Sequence, residues 1–346
     1  MNEAETRADL IDPALKDAGW GVVPGSRVQR EREAVITLGR LQGAGRRGKG
    51  KTADYILVYK GHRLAVLEAK ARANPDTEGL AQAKDYATHL QTRFAYSTNG
   101  HGIYRCDMQT GDEGYVARYP TPDELWADTF AQQRIWRDRF GEVPLADKSG
   151  AWQPRYYQHN AVNAALEAIA GGRDRILLTL ATGTGKTSIA FQIAWKLFQS
   201  RWSLAAWRSE NGEPGRRPRI LFLADRNTLA NQAYNEFNSF AAFAEDVLAR
   251  IDPETIRKRG QVPKNASVFF TIFQTFMTDS GAASETEYRF EDYQPDFFDL
   301  VIIDECHRGG ARDESTWRVN GGVKTCHCGG VKVGQFGASR GTNFWQ

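Results

Sequence analysis

The heptapeptide ATGTGKT at positions 181 to 187 constrains this chain more than any other feature. It follows the apolar run RILLTL (175 to 180), of the kind a buried parallel strand requires, and precedes SIAFQIAWKLF (188 to 198), which has the spacing of an amphipathic helix. Strand, glycine loop and helix in that order build a phosphate cradle. Gly183 and Gly185 let backbone N–H groups close on phosphate oxygens, with Thr182 and Thr184 completing the loop. The helix N-terminus adds positive potential, Lys186 reaches the outer phosphates, and Thr187 offers its hydroxyl to Mg²⁺. One departure from the general pattern is Leu180, which stands where glycine is usual.

A second box, DECH at 304 to 307, closes the apolar run FFDLVII (297 to 303). In a nucleotide engine Asp304 holds the Mg²⁺ shell, and Glu305 orients and deprotonates the attacking water. Two further strand candidates, RILFLA (219 to 224) and SVFFTI (267 to 272), lie between the boxes, each followed by a helical pattern. Alternating strands and helices predict an α/β unit with a parallel sheet and its ligand site at the carboxyl strand ends. Asp225, Arg226, Asn227, Gln274 and Thr275 fall at that edge, either as ordinary polar caps or as contacts to a DNA strand. The form ATGTGKT resembles the loop of helicase-like motors. Similarly, WQPRYYQ (152 to 158) resembles the adenine-reading segment of superfamily 2 motors, with Arg155 and Gln158 as nucleotide-binding candidates.

The front third carries separate chemistry. TADYILVY (52 to 59), a Lys60-Gly61 turn and HRLAVLEAKA (62 to 71) predict a β-hairpin. Glu68 and Lys70 are two apart on one strand and leave by the same face, and Asp54 on the neighbouring strand can join them. Two carboxylates sharing a hard cation beside an amine make a phosphodiester-cleaving site, with Asp54 and Glu68 as metal ligands. This is the PD-(D/E)xK pattern without its proline. On the helix that follows, Gln82 and Tyr86 stand one turn apart on one face. Arg93 to Thr98 supplies another strand, with Asn99-Gly100 as its hairpin turn. Glu5, in the opening helix, is either a further acidic contributor or part of a solvated face.

In order, ADY, VLEAKA, QAKDY, YSTNG, RYYQ, LATGTGKT, FLADRN, FTIFQTF and IIDECHRGG resemble the restriction (R) subunit of type I restriction-modification systems, over about residues 2 to 317. The resemblance implies a restriction-endonuclease-like α/β/α nuclease domain at 1–145 and a single, incomplete RecA-like P-loop lobe at 146–317. It further implies ATP and Mg²⁺ as cofactors, double-stranded DNA as substrate, and methyltransferase (M) and specificity (S) subunits as partners. Such a subunit pumps duplex DNA with ATP and cuts it away from the recognition site. The third motor motif and the second lobe with its arginine finger are not found after DECH. This reads as a truncation, so that the chain alone is expected to hydrolyse little or no ATP. Residues 318–346, glycine-rich and without a core-forming period, are expected to be an aberrant, disordered tail, and the C-H-C at 326 to 328 lacks the spacing of a zinc site.

Bulk properties fit this division. With 346 residues, 41% hydrophobic, the chain can bury two cores, and its net charge of only +3 requires DNA affinity to come from local patches. Arg46, Arg47, Lys49 and Lys51, in a Gly-rich loop just before Asp54, are the clearest patch, suited either to phosphates or merely to solubility. Four irregularly spaced cysteines and the lack of a signal or membrane segment point to the cytoplasm. VPLADKSG (143 to 150) reads as the connector between domains. Two alternatives stay open: a non-catalytic remnant that binds nucleotide, DNA or the methylating partner, and an unrelated ATP-dependent helicase.

Overall fold

The computed structural model describes residues 1–30, 35–36, 41–42, 46–47, 51–130, 134–147, 150, 152–181, 183–209, 212–240, 247–272, 293–294, 296–304 and 331–337. Of 35–36, 41–42, 46–47, 51, 253, 255, 259 and 331–337 it describes the backbone alone. Two units result, Met1–Arg134 with Pro154–Asn160, and Ile135–Gln153 with Ala161–Gln346.

In the first unit, helix α1 (Glu3–Thr6), a π-helical turn (Arg7–Ile11) and helix α2 (Asp12–Asp17) lead into strand β1 (Ser26–Arg30). Four two-residue strands follow: β2 (Val35–Ile36), β3 (Leu41–Gln42), β4 (Arg46–Arg47) and β5 (Lys51–Thr52). Then come β6 (Tyr55–Tyr59), β7 (His62–Ala69), α3 (Leu80–Leu90), β8 (Phe94–Thr98), β9 (Ile103–Asp107), β10 (Glu113–Tyr115) and α4 (Pro122–Thr129). The main sheet runs β1-β6-β7-β8-β9-β10. Neighbours are antiparallel except β7 and β8, which α3 joins as a parallel crossover.

The expected hairpin is present, turning through Lys60 (φ 47°) and Gly61 (φ 73°), both left-handed as a tight two-residue turn demands. Alternation along β6 builds both faces of the sheet. Tyr55, Leu57 and Tyr59 pack with Ile11, Leu15, Trp20, Leu125 and Trp126 on one side, while Ile56 and Val58 pack with Ala83, Tyr86, Ala87 and Leu90 of α3 on the other. Helices therefore cover both faces, in the α/β/α arrangement that the resemblance implied.

The stretch 40–51 is not simply a loop. Leu41–Gln42 pairs with Arg46–Arg47, and Val35–Ile36 pairs with Lys51–Thr52, so Arg46, Arg47 and Lys51 lie on short antiparallel ladders. Lys49 lies outside the described residues.

The second unit begins with α5 (Ile135–Glu142), and the division between units falls within α6 (Tyr156–Ala170). It continues through β11 (Arg175–Leu180), α7 (Lys186–Gln199), α8 (Leu204–Arg208), β12 (Ile220–Ala224), α9 (Asn227–Ser239), β13 (Leu248–Arg250), α10 (Pro253–Arg259), β14 (Val268–Ile272), β15 (Leu300–Ile303) and β16 (Val331–Gly337). Every neighbouring pair in the order β11-β16-β15-β12-β14-β13 is parallel.

The central strands are buried on both faces, which is why they read as unbroken apolar runs. Ile220, Phe222, Val268, Phe270, Leu300 and Ile302 pack with α7 and α9, and Leu221, Leu223, Phe269, Val301 and Ile303 pack with Tyr293, Phe297 and Phe298. β11 departs from that expectation: Leu178 is buried, whereas Leu177 is 52% exposed.

Three sequence expectations change here. The segment expected to connect the domains belongs to the second unit, because α7 holds it. Lys196 Nζ donates to the carbonyls of Phe140 (2.8 Å) and Val143 (2.6 Å), Gln192 exchanges two hydrogen bonds with the Ala146 backbone, and Trp195 Nε1 donates to Pro144 O. The DECH strand starts at Leu300, not Phe297, because Asp299 is pinned. Its buried carboxylate accepts from the backbone N–H of Leu204 (2.9 Å) and Arg219 (2.8 Å) and from the Arg216 guanidinium (2.6 Å). Finally, residues 331–337, expected to be disordered, form β16, inserted between β11 and β15. The missed signal is the alternation of V-K-V there, which suits a strand despite the glycines around it.

Candidate functional site

Two candidate sites emerge, one in each unit. In the first, Asp54 immediately precedes β6 and Glu68 lies near the carboxyl end of β7, where Tyr55 is opposite Leu67. The hairpin thus brings the two carboxylates together, both nearly inaccessible at 6% and 3% exposure. Asp54 Oδ2 accepts from the Ala69 backbone N–H at 2.8 Å, which ties the two strands at the site. Lys70 Nζ donates to Glu68 Oε1 at 3.3 Å. The three residues named from sequence are therefore one cluster.

Glu68 Oε2 is buried and has no hydrogen-bond partner, an expensive state for a carboxylate. Burial first, and then the negative charge of Asp54, push the Glu68 carboxyl up to about 8, against a smaller opposing pull from Lys70. Two buried carboxylates of which one resists ionisation, with an unused oxygen, match a site that a hard divalent cation completes. No group of three His, Cys, Asp or Glu suited to a metal occurs among the described residues, so the fit rests on this pair alone.

The shift has a measurable consequence. Because the folded-state value lies above the usual 4.5, the metal-free fold binds the extra proton between about pH 4.5 and 8 and loses stability as pH rises through that window. The loss at pH 8 is on the order of a few kcal/mol. Metal-free thermal melts of the wild type and Glu68→Gln across that range check it: the wild-type melting temperature falls relative to the variant's, and parallel curves would contradict it.

Sequence reasoning missed three residues that shape this site. Gly79, the N-cap of α3, approaches so closely that a Cβ there would stand 2.8 Å from Glu68 Cγ and 3.0 Å from Ser97 Oγ. Glycine is required by that contact, since its φ of −81° is ordinary. Ser97, directly opposite Glu68 on β8 and fully buried, accepts from Gly79 N–H (3.1 Å) and donates to Asp76 O, fixing the start of α3 over the carboxylate. Arg7 sets its guanidinium 3.4 Å from Asp54 Oδ1 and over the Tyr55 ring. Only Arg7 had a sequence context, a charged opening helix, and nothing in its spacing pointed to Asp54.

Gln82 and Tyr86 do meet on α3, with Gln82 Nε2 donating to the Tyr86 hydroxyl at 2.9 Å, on a helix that packs against β7 and β8. Glu5 does not join the acidic cluster by any described contact. It closes the capping box of α1 with Asn2, and its side chain is 56% exposed.

In the second unit, the glycine loop leaves the carboxyl end of β11. Gly183 (φ 77°) and Gly185 (φ 80°) are both left-handed, and Gly185 is the N-cap of α7. A Cβ at Gly183 would meet nothing within 4 Å, so it is the left-handed backbone and not crowding that favours glycine there. Thr184 Oγ1 donates to Ala181 O at 2.7 Å and closes the turn. Lys186 and Thr187 occupy the first turn of α7, Lys186 largely buried. Asp304 follows β15 at the same carboxyl edge of the sheet, its N–H donating to Leu223 O at 2.9 Å. These residues fit a Mg²⁺-nucleotide.

Thr182, Glu305, Gln274, Thr275 and the C-H-C of 326 to 328 lie outside the described residues. Arg155 and Gln158 sit at the start of α6, where the Arg155 N–H donates to Gln158 Oε1 at 2.9 Å, so one face of that amide is engaged in capping its own helix. Asp225 pairs with Arg226 at 3.3 Å just before Asn227 opens α9.

Residues 151–324 match the family described as type III restriction enzyme, res subunit. Residues 1–114 match the type I restriction enzyme R protein N terminus. The endonuclease subunit of the type I restriction enzyme EcoAI of Escherichia coli is 34% identical over 336 residues, covering 92% of this chain and 37% of that protein. For the EcoKI endonuclease subunit of Escherichia coli strain K12 the identity is 26% over 374 residues, covering 91% of this chain and 30% of that protein. A solved fragment described as an HsdR subunit of a type I restriction enzyme from Vibrio vulnificus YJ016 superposes with a TM-score of 0.71 at 34% identity, over 98% of this chain and 56% of that one.

A carboxylate-bearing α/β/α unit followed by a P-loop parallel-sheet unit is the class of the restriction-enzyme subunits that these matches define. The chain belongs to the R subunits of type I restriction enzymes. It spans 37% and 30% of the length of the two curated relatives.

Proposed function

We propose that this chain is a Mg²⁺-dependent DNA endonuclease joined to an ATP-binding lobe of a DNA translocase, acting in the cytoplasm with M and S subunits on double-stranded DNA. The observation that carries the reading is the buried Glu68 Oε2, without a partner, beside Asp54 and Lys70. Asp54 and Glu68 would hold the Mg²⁺, which would supply charge for the scissile phosphate and a more acidic water. Lys70, held by Glu68, would steady the attacking water and the negative charge on the phosphoryl oxygens. Gln82 and Tyr86 act as one hydrogen-bonded unit that positions the strand.

In the second unit, the loop of Thr182, Gly183, Thr184 and Gly185 cradles the phosphates of ATP, Lys186 neutralises the outer ones, and Thr187 and Asp304 are the candidates for Mg²⁺. Glu305 is the candidate for orienting the attacking water. Nicking of supercoiled plasmid by the purified chain tests the nuclease reading: Mg²⁺-dependent conversion to open circles is the expected result. Inert protein that still binds a fluorescent ATP analogue would favour the non-catalytic remnant.

A further inference from the structure

Cross-strand register runs a single row of side chains outward from the nuclease carboxylate. Glu68 on β7 is opposite Ser97 on β8, Ser97 is opposite Tyr104 on β9, and Tyr104 is opposite Tyr115 on β10. Residues directly opposite each other leave a sheet by the same face, so all four share the face that α3 covers over β7 and β8. Beyond α3 the row ends in two tyrosines. Their rings meet edge to face, 4.9 Å apart at 87°, and Tyr115 on the edge strand is 67% exposed.

Such exposure of a large ring is unusual for a side chain held this firmly. The Tyr115 hydroxyl donates to Asp76 Oδ1 at 3.1 Å, and Asp76 is the residue whose carbonyl accepts from Ser97. Gly102 gives Asp76 its space, since a Cβ there would overlap the carboxylate. The same loop that sets Gly79 over Glu68 therefore also orients the Tyr115 ring. The charges nearby are engaged: Asp76 by Tyr115, and Glu113 on the same strand by Lys84.

We propose that Tyr115, braced by Tyr104, is a nucleobase-stacking subsite for the DNA strand whose phosphate enters the Asp54, Glu68 and Lys70 cluster. The proposal rests on the nuclease reading and adds to it the residue that receives a base beside the cut. Three strand spacings separate Tyr115 from Glu68, about 14 Å, a short stretch of strand. A ring already fixed by its hydroxyl and by a perpendicular neighbour loses little freedom when a base lies on it. Stacking accepts every base, which suits contact with DNA that is cut without being read.

The test uses the full chain carrying Lys70→Ala, without Mg²⁺, and a duplex ending in a short single-stranded overhang with 2-aminopurine. Binding is followed by anisotropy and stacking by quenching of the 2-aminopurine. Quenching on binding is expected, with Tyr115→Ala removing it and weakening affinity about tenfold, and Tyr115→Phe keeping both. Unquenched probe with Tyr115 in place, unchanged quenching in Tyr115→Ala, or loss in Tyr115→Phe equal to that in Tyr115→Ala would each overturn the stack. Plasmid nicking by the chain with Lys70 intact is scored separately, so a dead nuclease that still quenches refutes the catalytic reading and leaves the subsite standing.

Discussion

Lys70→Ala and Asp54→Ala each lower Mg²⁺-dependent plasmid nicking by at least about a hundredfold, the scale of removing a positioned acid–base or charge-stabilising group. The two fail for different reasons. The Lys70 side chain is bonded to Glu68 and is part-exposed, so Lys70→Ala leaves the fold and the carboxylate pair in place and removes the ammonium. Asp54 also accepts the Ala69 N–H at 2.8 Å, so Asp54→Ala additionally loosens β6 from β7 at the site. Raising Mg²⁺ should therefore leave Lys70→Ala inactive. Nicking by Lys70→Ala at the wild-type rate would contradict the assignment.

Asp299→Ala destabilises the second unit by about 3 kcal/mol, the cost of removing a buried carboxylate from two part-buried backbone donors and an arginine. Asp299 is 1% exposed and receives hydrogen bonds from Leu204 N, Arg219 N and Arg216 at once, joining the start of α8, the approach to β12 and the start of β15. Since β15 leads directly into Asp304, the same change unseats the carboxylate proposed for Mg²⁺-nucleotide. Calorimetric melting should show the transition of this unit lowered by on the order of 10 °C. A shift of one or two degrees would mean that Arg216 and the two amides find other partners.

Both candidate sites were legible in the sequence because each depends on local spacing. Glu68 and Lys70 share a face by the period of a strand, and two residues of turn at Lys60-Gly61 suffice to fold Asp54 back onto them. The glycine loop is likewise local, with Gly183 and Gly185 adopting the left-handed backbone that their lack of a side chain permits.

What stayed hidden depends on contacts distant in sequence. Gly79 has a commonplace φ, and only the proximity of Glu68 makes a methyl group there impossible. Asp299 looked like one polar residue inside an apolar run, whereas its three donors come from residues 204, 216 and 219. Lys196 and Gln192 read as the polar side of an amphipathic helix, yet both are buried, bonded to the backbone of the segment expected to be a free connector. The strand at 331–337 was overlooked because glycines mask its alternation, and its place between β11 and β15 is a matter of sheet order that no local pattern encodes.

Diffraction from crystals soaked in Mn²⁺, recorded for the anomalous signal of manganese, tests the metal-binding carboxylate pair most directly. A peak within coordination distance of both Asp54 and Glu68 Oε2, lost in Glu68→Gln, is the predicted result. Manganese bound elsewhere with that pair left bare would contradict it.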